Sequence, residues 1–235
     1  AAGVGKTVLV QSAAVYGFDN SYIADCARAH PDRCVAICAI DLVADDAPER
    51  LRYWTEERGT RGLRITTADL LDDPRTFAVW DQVRSLGLSV CVQLQPQHLA
   101  KLPVVLERYS DVPVALDHAA NINRAGRETP PAPEPPAALL DLAAYPNLYL
   151  KLTTQNLDGI VAGSGTAEQF IGPLRDRFGA ERLIWGTDFP ATAAESYDER
   201  IDQIRTAFAF LPEEEQRLVL GENALRLWPA LRSAG

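Results

Sequence analysis

The 235-residue sequence contains no methionine at all. A translated chain begins with one, so Ala1 is expected to follow processing, trimming or a cut from something longer. The opening Ala1-Ala2-Gly3 reads as the last turn of a helix with its terminal glycine, leading into a strand. Histidine is scarce: His30, His98 and His118 are the only imidazoles. The four cysteines form no pair of zinc-type motifs. Cys34, Cys38 and Cys91 lie in apolar strand-like runs, where a thiol behaves as a small buried hydrophobe. Basic residues are outnumbered, giving a net charge of −9, which argues against a nucleic-acid partner because phosphate binding needs a basic face. No apolar run approaches the roughly eighteen residues of a membrane span, and the N-terminus lacks a signal peptide's charged and apolar regions. A cytoplasmic protein is the expectation. No glycine-rich dinucleotide fingerprint follows the first strand either.

What is present is ordinary globular material, 47% hydrophobic and 23% charged, long enough for one sizeable core. A single domain over residues 1–235 is expected. Seven short apolar runs read as strands: Thr7–Gln11, Cys34–Ile40, Gly62–Ile65, Ser89–Leu94, Val112–Leu116, Leu148–Leu152 and a last one opening at Leu183. Helical stretches separate them, at about 20–29, 45–58, 73–86, 97–109, 137–144 and 166–178, with two more at 197–210 and 213–220. Alternation of this kind specifies a parallel sheet, since each crossover needs a helix to bring the chain back to the same end. The fold class is therefore α/β. Without a dinucleotide fingerprint, a TIM-type (βα) barrel is favoured over an open doubly wound sheet.

The last run, Leu183–Pro190 (LIWGTDFP), delivers the carboxylate of Asp188 to a strand exit. An unpaired buried carboxylate there is costly, so a reacting group is the economical explanation. Gln11, Asp41, Arg64, Gln95, His118 and Thr153 also stand at or near strand ends, and in a (βα) barrel those ends converge on one face. Strand ends meet water in any case, which suffices for Gln11 and Asp41 and competes with a substrate role for Thr153. A base, a donor and a cation in one cup, Asp188, His118 and Arg64, make a working set. Ser164-Gly165-Thr166 reads as an ordinary helix cap rather than a phosphate site. The stretch Asn121–Pro136, with five prolines from Pro130 onward, is either a stiff surface loop or a lid over the cup.

The run YGFDNSYIADCARAHPDRCVAICAID, followed in order by RGLRI, VALDHAA, NLYLKLT, RLIWGTDFP and LVLGENALRLW, resembles the amidohydrolase-related family of the amidohydrolase superfamily. It is most similar to the branch holding 2-pyrone-4,6-dicarboxylate hydrolases and sugar lactonases. The resemblance implies a (βα)8 barrel and hydrolysis of a small, usually carboxylated, substrate. It implies Asp188 as general base, His118 as the histidine after the family's sixth strand, and Arg64 as the arginine of its G-x-R motif, which either binds substrate or braces the barrel. The family's first strand carries an H-x-H pair that this sequence lacks, so seven strands are expected. Metal-dependent relatives place a histidine at the end of their fifth strand, where Gln95 stands here, with His98 three residues on in a surface or capping role.

The expected chemistry is lactone or ester hydrolysis, with Asp188 taking a proton from water and His118 stabilising the oxyanion. Arg64 is expected to hold a substrate carboxylate, with Gln95 and Thr153 as further substrate contacts. Asp188, in a partly dry cup, is expected to titrate above an ordinary aspartate. The cofactor is none or one divalent metal (zinc), for which His118 and Asp188 would be two ligands; that alternative makes the protein a zinc-dependent amidohydrolase or decarboxylase. A different class of reading is an inactive barrel or scaffold that associates, as a homo-oligomer or otherwise, through open sheet edges.

Overall fold

A computed structural model describes residues 3–123, 132–190 and 196–232. The seven expected strands are all present: β1 (Thr7–Val10), β2 (Cys34–Ala39), β3 (Gly62–Ile65), β4 (Ser89–Val92), β5 (Val114–Leu116), β6 (Leu148–Thr153) and β7 (Leu183–Gly186). They form one sheet in chain order, every neighbouring pair parallel. Sequential parallel strands with helical crossovers curl the sheet into a TIM-barrel-like α/β half-barrel. Among the described residues β1 and β7 do not pair with each other, so each presents an open edge.

The two faces of the sheet are sorted by alternation along each strand. Cys38, Leu63, Val90, Val92, Leu116 and Leu150 point outward into the core shared with the helices. Val35, Ile37, Cys91, Ala115 and Ile184 point inward and pack on Leu227, Trp228 and Leu231 from the end of the chain. That C-terminal segment fills the inner face with hydrocarbon, and the polar residues of the same inward rows lie nearer the strand exits.

The helices follow the expected order with informative differences. The stretch from Asp73 divides into a 3-10 turn at Pro74–Thr76 and a helix at Phe77–Ser85, with Asp73 accepting the Arg75 N–H at 2.9 Å as cap. The next divides into a 3-10 helix at Pro96–Lys101 and a helix at Leu102–Arg108. Pro103 has no N–H to give, so the α-helix can begin only where that donor is not needed. Thr166 caps the helix Ala167–Phe178 by accepting the Gln169 N–H at 3.2 Å, the ordinary role expected of it.

Among the elements absent from the sequence reading, two bear on the site: a left-handed turn over His118–Asn121 and a helix at Thr154–Ala162. Residues 124–131, half of the proline-rich stretch, lie outside the described residues. Its flanks are tied together, Asn123 donating to the Ala132 carbonyl at 2.7 Å and accepting the Ala132 N–H at 2.8 Å.

Candidate active site

Inside the curl, three charged side chains share one spot. Asp117, fully buried at the exit of β5, forms ion pairs with Lys151 Nζ at 2.5 Å and Arg64 Nε at 3.5 Å. Register explains the meeting: Leu116 lies opposite Leu150, so the next inward pair is Asp117 and Lys151. Burial alone would push the Asp117 carboxyl up, but Lys151, Arg64 and His118 together hold it below its ordinary value. Burial likewise opposes the Lys151 charge, and Asp117 overrides it, leaving the ammonium harder to deprotonate than usual. Arg64 sends Nη1 to the Gln11 carbonyl at 2.6 Å and Nη2 to Gln93 Oε1 at 3.0 Å. Its guanidinium thus contacts protein groups that follow β1, β4 and β5.

His118 follows Asp117 and turns the chain into a left-handed path. His118, Ala119, Ala120 and Asn121 have φ of 55°, 43°, 60° and 56°. Left-handed backbone costs roughly 1–2 kcal/mol per non-glycine residue, so the surroundings must hold it. Asn156 does so by donating Nδ2 to the carbonyls of His118 (2.8 Å) and Ile122 (2.6 Å). Asn121 ties the turn to β4 by donating to the Leu94 carbonyl at 2.7 Å. Gly159 completes the clamp: a Cβ there would lie 1.5 Å from the Asn123 carbonyl oxygen.

The imidazole is held by the same helix. His118 Nδ1 lies 3.0 Å from Thr153 Oγ1, which in turn lies 3.2 Å from Asn156 Oδ1. Because Asn156 Nδ2 faces two carbonyls, its Oδ1 is the acceptor, and it also takes the Thr153 N–H at 3.0 Å. With its hydroxyl proton on Asn156, Thr153 accepts from Nδ1–H, and the neutral ring carries its lone pair on Nε2. Thr153 is 1% exposed, and its hydroxyl lies between His118 and Asn156. The strand runs directly into a helix, making Thr153 an N-cap.

Asp188 reaches the same turn of helix from β7. It has φ of 53°, a second left-handed residue at a strand exit, and its Oδ2 accepts from Gln155 Nε2. Thr154 Oγ1 donates to the preceding carbonyl, that of Thr187, at 2.7 Å. Four consecutive residues, Thr153 to Asn156, therefore hold both His118 and the Asp188 segment. Sequence reasoning missed Thr154, Gln155 and Asn156; the Thr153…Asn156 capping spacing was the available signal, masked by the glycines at 159, 163 and 165.

The remaining candidates lie apart from that turn. Gln95 caps the 3-10 helix Pro96–Lys101, with its Oε1 buried and lacking a protein partner. His98 lies within that helix, its Nε2 4.0 Å from Asp69. Gln11 spends its amide on the carbonyls of Gly17 (3.2 Å) and Asp19 (2.8 Å), a structural role. Among the described residues no three His, Cys, Asp or Glu side chains gather as a metal site. His118 and Asp188 alone fall short of the three or more protein ligands zinc takes.

Comparison with known proteins follows the same lines. The chain is 29% identical over 201 residues to the L-fucono-1,5-lactonase of Burkholderia ambifaria, covering 81% of this chain and 66% of that protein, a little under two thirds of its length. Among solved structures it resembles a probable 2-pyrone-4,6-dicarboxylic acid hydrolase from Acinetobacter baumannii with citric acid bound, at TM-score 0.74 and 21% identity, over 96% of this chain and 84% of that one. It also resembles a Burkholderia multivorans amidohydrolase with bound zinc, at TM-score 0.76 and 21% identity, over 96% and 83% of the two chains. No helix among the described residues is long and apolar enough to cross a membrane. The amidohydrolase family model matches residues 1–230, nearly the whole chain and all seven strands of the curled sheet, and the chain belongs to that family.

Proposed function

We propose that this chain carries the hydrolytic site of an enzyme that opens a small lactone, with Asp188 as general base and His118 as the group that receives the developing oxyanion. What supports this reading is that one turn of helix, Thr153–Asn156, holds both residues in left-handed backbone at the exits of β5 and β7, on either side of β6. Strained residues held by several partners are characteristic of working sites. The similarity to a lactonase points to the same reaction class.

In this scheme Asp188 takes a proton from a water as that water attacks the carbonyl carbon, and returns it to the ring oxygen as the tetrahedral intermediate collapses and the acyl C–O bond breaks. Gln155 donates Nε2 to Asp188 Oδ2 and so orients the carboxylate. In the imidazolium form His118 keeps Nδ1–H on Thr153 and offers Nε2–H to the carbonyl oxygen. Asp117, next in sequence, favours that positive charge, and Lys151 and Arg64 keep Asp117 ionised. Arg64 is a brace in this scheme, Thr153 orients the imidazole, and Gln95 remains a substrate contact through its unpartnered Oε1. The described residues do not by themselves make a metal site, and no step here passes through one.

The test is Asp188→Asn in the full-length gene product, which is expected to lower turnover on lactones at least about a hundredfold. Unchanged hydrolysis of every lactone tried sinks the base assignment. Elemental analysis alongside it decides the cofactor: bound zinc near one per chain, with activity lost on chelation, replaces the protein-only scheme.

A further inference from the structure

A small recess lies at the exits of β2 and β3, lined by Phe18, Asp41, Arg64, Thr66, Thr67 and Leu70 among others, with room of about 30 Å³. Arg64 reaches it from the inward row of β3 for a reason of register. Ala39 lies opposite Arg64, one residue beyond the outward-facing pair Cys38 and Leu63. Asp41 and Thr66 follow two residues further on, just past the ends of the two strands, and line the same recess.

The chemistry of this recess is one-sided. The Arg64 guanidinium is hydrogen-bonded to Gln11 and Gln93 and ion-paired with Asp117. Asp41 gives one oxygen, Oδ1, to the Val43 N–H at 3.1 Å. The other lining side chains named are neutral, so the recess keeps an acceptor of net negative character, two exposed threonine hydroxyls and the half-exposed ring of Phe18. A substrate carboxylate there would meet Asp41 with no free cation in the lining to offset it. A hydroxyl would donate to Asp41 and accept from a threonine. Space of this size holds roughly two waters, enough for one or two hydroxyl groups and too little for a carboxylated ring.

We infer that the β2–β3 recess is a subsite for the hydroxyl groups of a polyhydroxylated lactone, with Asp41 as its specificity-determining residue and Thr66 and Thr67 as supporting contacts. This rests on the lactone-opening reading above and departs from the carboxylated substrate expected of Arg64. A subsite built to bond a hydroxyl discriminates against the analogue lacking it, because its own polar groups are then left unpaired.

The full-length gene product is assayed on three six-membered lactones: a hydroxylated aldono-1,5-lactone, unsubstituted δ-valerolactone and a carboxylated δ-lactone. The hydroxylated compound is expected to lead δ-valerolactone in kcat/KM by roughly ten- to a hundredfold, the range of one hydrogen bond to a charged acceptor, with the carboxylated lactone slowest. Asp41→Asn keeps an oxygen for the Val43 turn but loses the charge; it brings the first ratio towards one and improves the relative rate on the carboxylated lactone. Thr67→Val, at an exposed position, shifts the first ratio the same way and covers the case in which Asp41→Asn fails to fold. Calorimetric titration with an unreactive alditol reads the subsite without turnover, and Asp41→Asn is expected to weaken that binding. If no lactone is hydrolysed while alditol binding still depends on Asp41, the lactonase reading fails and the subsite stands. Hydrolysis that favours the carboxylated lactone, or a hydroxyl preference untouched by both variants, overturns the subsite.

Discussion

Thr153 Oγ1 stands 3.0 Å from His118 Nδ1, across the adjacent exits of β6 and β5, and its own hydroxyl proton is taken up by Asn156. This chain of three side chains fixes which imidazole nitrogen faces the cup. It also makes Thr153 a positioning residue: it acts through His118.

Removing that link has a measurable consequence. Thr153→Val keeps the shape of the side chain but takes away the acceptor for Nδ1–H. Turnover is expected to fall about ten- to a hundredfold, the usual cost of losing a partner that orients a working group, and Thr153→Ser is expected to restore most of it. Nitrogen NMR of the imidazole checks the cause directly. An Nε2–H tautomer in the unaltered protein contradicts the assignment, whatever the variant does to rate.

Gly159→Ala probes the left-handed turn. The added methyl would sit 1.5 Å from a backbone oxygen of Asn123, which cannot swing aside as a side chain can. Overpacking of this sort costs about 1–3 kcal/mol or more. Chemical denaturation should report that loss, and amide exchange should quicken in residues 118–123 ahead of the rest of the sheet. Equal stability with unchanged exchange would mean that the turn does not depend on this contact.

Asp117→Asn leaves the Lys151 and Arg64 charges buried without their anion, a change expected to cost about 3–5 kcal/mol. The pH dependence has a definite sign. Asp117 is held below its ordinary value in the fold, so its contribution is complete above the unfolded value of about 3.9. It is lost as pH falls through the lower folded value. Lys151 is raised, so its contribution is complete below about 10.4 and is lost as pH rises through the folded value. The stability gap between wild type and variant should therefore be level at neutral pH and close in acid. A gap that widens in acid would show that the ion cluster does not act as described.

Thiol labelling separates the cysteines by depth. Burial pushes the Cys38 thiol up to about 11, and burial with the nearby Asp117 pushes Cys91 up to about 12. Cys26 and Cys34 are partly exposed. Under native conditions at mildly alkaline pH, Cys26 and Cys34 should react and Cys38 and Cys91 only on unfolding. Four fast thiols would mean that the inner and outer layers of the sheet are open to solvent.

Much of the fold is legible along the chain because parallel strands buried on both faces leave short, nearly continuous apolar runs between helices. Thr7–Val10, Gly62–Ile65 and Leu183–Gly186 lie within or match the runs read for them. The helix Thr154–Ala162 is a different matter. Its glycines weaken the helical signal, and its buried Thr154, Gln155 and Asn156 look like loop residues until their partners are known. Those partners lie about 33–38 residues away in sequence, so no local pattern records them.

The order of strands and helices, the apolar core positions and the presence of a carboxylate and an imidazole at strand exits followed from the sequence, since each depends on periodicity and neighbours along the chain. The tertiary structure decided what those groups do to one another: Arg64 spent on Asp117, Thr153 set beneath His118, and one helical turn holding His118 and Asp188 together. Such contacts join strands whose register is fixed only when the sheet curls, and a strained left-handed turn persists only where distant side chains are already in place to hold it.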